Sequence, residues 1–190
     1  MQCAYRPLQG FQQIHFVLNL TTMAILAIQS ISGCAGVAPI ECVSPRKNKW
    51  KIRWNITEKE DGSAEWLEKD FDHKPSVEEV RSVIVGYHNK QVDAKILSGY
   101  RWNDMPVWLS TENQFNYKAS FDLAVQTNGG NLPVRFKFGT DAEPLYHDFT
   151  TIDELTDFYM GAMSFINDTL QEGWKAKDGI DLTLYNIDDE

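Results

Sequence analysis

The chain has 190 residues, 43% of them hydrophobic and 24% charged, enough for one folded domain plus an accessory segment, with a formal net charge of −9. Residues 1–47 carry three basic side chains (Arg6, Arg46, Lys47) against Glu41, so the remainder holds 15 basic against 26 acidic. An acidic body repels a phosphate backbone, and the one basic cluster, Arg46 to Arg53, is partly the face of a strand, so nucleic acid is excluded as a partner.

The N-terminal segment, taken as residues 1–45, admits two readings. Phe16 to Ile28 is a short apolar run interrupted by Asn19, Thr21 and Thr22, too short and polar to span a membrane. Ile31-Ser32-Gly33-Cys34 follows it and has the form of a lipoprotein cleavage site, with Cys34 as the residue to be lipidated. The other reading starts translation at Met23 and makes Ala24 to Ile28 an edge strand. The cysteines are Cys3, Cys34 and Cys42. A Cys34–Cys42 pair is an open expectation, and residues 43–190 can hold no disulfide or CxxC metal site.

From residue 46 onward the periodicities predict one α+β domain of antiparallel hairpins packed against three amphipathic helices. Trp50, Ile52, Trp54 and Ile56 alternate with Lys51, Arg53 and Asn55, the period of a half-buried strand. Glu60 to Ser63 turns the chain, and Ala64 to Phe71 returns it, with either Trp66 or Leu67 exposed. Ser76 and Glu79 have capping-box spacing and open a helix to about Leu97, with Val77, Val80, Val83, Ile84 and Tyr87 on one face.

Tyr100-Arg101-Trp102 and Val107-Trp108-Leu109 flank Asn103-Asp104 as a tight hairpin, with Pro106 limiting its second arm. Thr111 with Gln114 is a second capping box, for a helix carrying Phe115, Ala119, Leu123 and Ala124 that Asn128-Gly129-Gly130 stops. Leu132 to Phe138 and Leu145 to Phe149 form a further hairpin. Thr151 with Glu154 opens the longest helix, apolar from Ile152 to Trp174, and Asp178-Gly179 breaks it. Ile180, Leu182 and Leu184 are expected in a last strand.

Chemistry-bearing motifs are sparse. There is no P-loop, GxSxG, HExxH, dinucleotide fingerprint or calcium loop. Asp72-His73 and His147-Asp148 place carboxylates beside imidazoles, but neighbours on a strand point to opposite faces. An acid–base or metal site would need His73, His147 and Asp70 to converge from distant segments. Asn55-Ile-Thr and Asn167-Asp-Thr match the glycosylation pattern by spacing alone. No enzyme activity, cofactor or metal is expected. The aromatic residues are the more informative group: six Trp is a high count, and Trp102 and Trp108 flank one turn. They either cover helices from the sheet side or form a contact surface of Tyr100, Trp102, Asn103 and Trp108.

The stretch Ile96 to Ala119, with its Gly-Tyr-Arg-Trp-Asn hairpin and its Asn116-Tyr-Lys-Ala helix, resembles a domain of unknown function found in phage and prophage tail-fibre-associated proteins. Thr140-Asp141, Phe149-Thr150 and Thr151-Ile-Asp-Glu-Leu155 are similar to its later part, and Asn48 to Trp54 resembles the first strand of the gut-phage versions. The likeness covers about residues 48–180 and begins to show near Met23, in keeping with the later start. Asp104 stands where the family has Gly. The resemblance implies a context, not a reaction: a non-enzymatic tail-associated or assembly protein in the virion or host cytoplasm. Its partners would be other phage tail proteins or a copy of itself. The alternative is an exported lipoprotein, held on the cell envelope through Cys34, with a carbohydrate- or protein-binding body.

Overall fold

A computed structural model describes residues 28–186. The Phe16–Ala27 part of the apolar run, the Met23 start and the Ala24–Ala27 part of the expected strand lie outside them. The chain is α+β, and its described residues divide into two compact units, 28–87 with 180–186 and 88–179. 

Unit 1 is built on a four-stranded antiparallel sheet of β1 (Gln29–Cys34), β2 (Ile40–Ser44), β3 (Lys49–Glu58) and β4 (Ser63–Phe71) in the order β1-β4-β3-β2. The boundary expected at 45/46 therefore falls inside this sheet. β3 and β4 are the hairpin that alternation predicted, with Trp50 level with Phe71 and Ile52 level with Lys69. Asn55, at φ 53, takes a left-handed conformation where the β3–β4 register shifts between Trp54 and Thr57. One sheet face buries Ile40, Ile52 and Trp54 against Val80 and Ile84 of helix α1 (Val77–Ser98). The Ser76–Glu79 capping box forms: the Ser76 amide and hydroxyl both donate to the Glu79 carboxylate at 2.9 Å.

Residues 180–186 add to this core, but not as the expected strand. Leu182–Tyr185 is a short 3₁₀ turn, capped when Asp181 accepts from the Thr183 amide at 3.0 Å. That local cap competes with an extended strand. The turn aims the buried Tyr185, whose hydroxyl donates to the Arg53 carbonyl at 2.8 Å.

The other face of the sheet holds an ion-pair network. Arg53 lies level with Glu68, and its Nε donates to the carboxylate at 2.8 Å; both side chains are buried, 9% and 7% exposed. Lys51 pairs with the same carboxylate, Glu41 pairs with the guanidinium at 2.8 Å, and Ala38 O accepts from Arg53 Nη1 at 3.1 Å. Trp66 is buried here with its indole N–H on Glu68 at 3.3 Å, while Leu67 is half-buried on the helix side. Burial pushes the Glu68 carboxyl up, but the bonds from Lys51, Arg53 and Trp66 outweigh it and hold the group below its ordinary value of 4.5.

Unit 2 is the aromatic-rich body. It contains β5 (Arg101–Trp102), β6 (Met105–Pro106), helix α2 (Thr111–Gln126), β7 (Val134–Gly139), β8 (Pro144–Phe149) and helix α3 (Ile152–Asp178). Phe158 of α3 is fully buried among Tyr100, Trp102, Tyr117, Phe136, Phe138 and Phe149, with ring centroids 5.0–6.4 Å away. The α3 capping box is as expected, with Thr151 Oγ1 accepting from the Glu154 amide at 3.2 Å. For α2 the cap lies one residue earlier than expected: Ser110, not Thr111, accepts from the Asn113 amide at 3.3 Å. Gln114 instead sends its amide back to the Leu109 carbonyl at 2.7 Å.

A second correction concerns which face of α2 is buried. Tyr117 and Ala124 are buried and Phe121 stacks on Tyr159 at 4.7 Å, whereas Phe115, Ala119 and Leu123 are exposed. Two apolar stripes run along this helix. The one with two large aromatic rings goes inward, because rings bury the most apolar area.

Candidate functional site

The Asn103-Asp104 turn forms as predicted. Trp102 pairs with Met105, and Asn103 and Asp104 have φ values of 47° and 61°. Two successive left-handed residues match the right-handed twist of a two-residue hairpin. Asn accepts this conformation readily and Asp less so, whereas glycine does so without steric cost. Asp104→Gly should therefore raise folding stability by about 0.5 kcal/mol, read as a shift of the urea midpoint at constant slope. An unchanged or lowered midpoint would show that the turn carries no strain at this residue.

The four residues expected to form a contact surface are not brought together at the surface. Tyr100 is buried, its ring 5.5 Å from Phe165, and its hydroxyl donates to the Phe158 carbonyl at 3.4 Å. Burial, with the Asp157 charge, pushes its phenol up. Trp102 is buried against Phe149 at 5.0 Å and His147 at 4.8 Å, its indole N–H on Asp157 at 3.3 Å. Both are core residues, because the hairpin is too short to pack its own aromatics and turns them into the body. Asn103 and Trp108 remain exposed.

Trp108 is 49% exposed for a simple reason: Val107 and Leu109, on either side, are each 1% exposed, and alternation sends the residue between them outward. Its backbone is held firmly. Trp108 O accepts from Asn113 Nδ2 at 2.8 Å, and the Leu109 amide donates to Leu97 O at 2.9 Å. Directly after this lead-in, α2 presents Phe115 (72% exposed), Ala119 and Leu123 (47% exposed). An ion pair of Lys118 with Asp122 at 2.6 Å flanks the stripe. Phe115, Ala119 and Leu123, four residues apart, thus share one exposed face of α2, and Trp108 is exposed in the segment ahead of it. Sequence reading missed Phe115 and Leu123 as surface residues. The signal that finds them is the competing stripe Tyr117, Phe121, Ala124.

Other candidates are less organised. His73 bonds Glu79 at 2.9 Å within the capping box of α1, and His147 bonds Glu154 at 2.7 Å at the start of α3. Each imidazole thus supports a helix N-terminus, and His73 and His147 belong to different units. Among the described residues no group of three or more His, Cys, Asp or Glu side chains is placed to hold a metal ion. Trp174 lies on α3 in a shallow groove of about 680 Å³ with Asp168, Gln171, Glu172, Lys175 and Asp178.

Cys34 and Cys42 are free thiols, the pairing left open by spacing: they sit in β1 and β2, at opposite edges of the sheet. Cys34 ends β1, level with Ser63. Gly33 has a packing role, since a Cβ there would come within 2.7 Å of the Trp66 ring. Cleavage ahead of Cys34 would remove Gln29 to Gly33 and bare the edge of β4. Among the described residues no helix is long and apolar enough to cross a membrane.

No family model, curated protein or solved structure matches this chain.

Proposed function

We propose that this chain is a non-enzymatic component of a tailed-phage or prophage particle, or a factor that assembles its tail, and that it acts by protein–protein contact. The carrying observation is the run of large apolar side chains left exposed from Trp108 through Phe115 to Leu123 on one helix and its clamped lead-in. Single exposed hydrophobics are ordinary, but Phe115, Ala119 and Leu123 share one helix face, and an exposed tryptophan stands a few residues ahead of it, a grouping suited to a protein contact. The resemblance of residues 48–180 to tail-fibre-associated domains supplies the context.

The test is to induce particles from the native host and follow the chain through a density gradient with an antibody. It should sediment with tails or tail-assembly intermediates. Combining Trp108→Ala with Phe115→Asp should lower the bound fraction at least about tenfold, equivalent to about 1.4 kcal/mol, with the melting temperature unchanged. Recovery of the whole pool away from particles and intermediates would overturn the reading. Undiminished binding of the double variant would remove this surface from it.

A further inference from the structure

We infer that the core of unit 1 is a docking site for a tyrosine-anchored 3₁₀ turn, filled by residues 180–186 of its own chain and exchangeable for the same segment of a second copy. The site shares no residue with the outer face of α2, so it goes beyond the contact proposed there. What it accepts is shown by what occupies it. Ile40, Ile52 and Trp54 of the sheet and Val80 and Ile84 of α1 form its floor, and Ile180, Leu182 and Tyr185 cover it. Of these three, Tyr185 alone is buried, 6% exposed, while Ile180 and Leu182 are half-buried. The Tyr185 hydroxyl donates to the Arg53 carbonyl at 2.8 Å. Burial, with the Asp181 charge, pushes this phenol up to about 12, so it remains a donor at neutral pH. The ligand chemistry is therefore an apolar turn anchored by one tyrosine.

The turn carries its own shape. Asp181 accepts from the Thr183 amide at 3.0 Å and from its hydroxyl at 2.6 Å, and the Asn186 amide donates to the Thr183 carbonyl at 3.2 Å. These bonds lie within the segment, and a ligand organised before it docks loses little freedom on docking. Gly179, exposed, joins the turn to α3. A second copy offers the same side chains and the same internal bonds, so an exchange replaces each contact by its equal and its cost is confined to the linker. Release of the turn exposes one buried side chain and two half-buried ones, which places it at the low-cost end of local opening. Binding in trans is limited to the fraction of molecules whose own turn is out, which makes the exchange sensitive to the tyrosine anchor and to concentration.

Fluorescence anisotropy of a labelled peptide of residues 178–186 tests the site on the full chain. The Tyr185→Ala chain, whose tethered turn has lost its anchor, should bind this peptide at least about tenfold more tightly than the parent, whose own turn competes. A peptide carrying the same Tyr185→Ala change should bind neither chain. Circular dichroism establishes folding, and if the Tyr185→Ala chain does not fold, Leu182→Ala, which weakens the tethered turn and keeps its anchor, is read in the same way. A folded variant that binds the peptide no better than the parent would overturn the site, as would binding that ignores the peptide's own tyrosine. The second copy is tested by concentration. Parent chain incubated at about 1 mM, the range in which another molecule's segment rivals a tethered one, should yield dimers in sedimentation that folded Tyr185→Ala or Leu182→Ala forms less. Parent that stays monomeric there, or dimers equally abundant in the folded variant, would overturn the exchange. Sedimentation of the chain with tails reports separately on the reading above, so the two failures are distinct.

Discussion

Phe158→Ala should destabilise the protein by about 4 kcal/mol, near the upper end for an aromatic core truncation. Phe158 is fully buried and touches six other aromatic rings, from Tyr117 at 5.0 Å to Tyr100 at 6.4 Å. Its removal loses the transfer free energy of the ring and two edge-to-face contacts, with Trp102 and Tyr117, each worth about 0.5–1.5 kcal/mol. It also leaves a cavity walled by stiff rings contributed by β5, α2, β7 and β8, which cannot all move inward together. The same substitution at Phe115, 72% exposed, should stay within about 0.5 kcal/mol of the parent. Urea unfolding of both variants provides the comparison, and a loss below about 1 kcal/mol at Phe158 would mean that the aromatic body is not centred on it.

Glu68→Ala should cost about 3 kcal/mol at neutral pH, because it leaves the Arg53 guanidinium, 9% exposed, without its principal partner. The remaining acceptors, Glu41 and the Ala38 carbonyl, satisfy only part of the fork. Replacing both charges together, Arg53→Met with Glu68→Leu, should destabilise less than either single change, since no charge is then left buried alone. The pH dependence has a fixed sign. Because the folded Glu68 carboxyl sits below its ordinary value of 4.5, it contributes stability above that pH and loses it as the pH falls through the folded value. The parent should therefore weaken in this acid window relative to Glu68→Gln. A gap between parent and Glu68→Gln that stayed constant from neutral pH to below 4 would show that Glu68 is not held ionised by its neighbours.

Local signals made most of the fold legible. Alternation from Trp50 to Ile56, the Asn103-Asp104 turn and the capping residues Ser76 and Thr151 each act over a few residues, so the sequence displays them directly. What it hid depends on distant segments. Arg53 follows the polar beat of its strand, yet it is buried because Glu68 of β4 and the Ala38 carbonyl enclose its guanidinium. Trp102 flanks an exposed turn, yet β7, β8 and α3 surround it. On α2 both stripes are apolar, and only the aromatic body of β7 and α3 selects Tyr117 over Phe115. The candidate surface was correspondingly only partly visible: Trp108 could be read, while Phe115 and Leu123 required knowing which side was already occupied.

Unit 1 is interrupted in sequence, with all of unit 2 inserted between Tyr87 and Ile180. A ribosome adding about 5–20 residues per second needs roughly 5–20 s to deliver that insertion. During this interval the four strands and the first turns of α1 have emerged, but Ile180, Leu182 and Tyr185, which complete their core, do not yet exist as peptide. Unit 2 has no such wait, because its residues are contiguous. Of the two units, the one whose synthesis begins first is thus the one completed last.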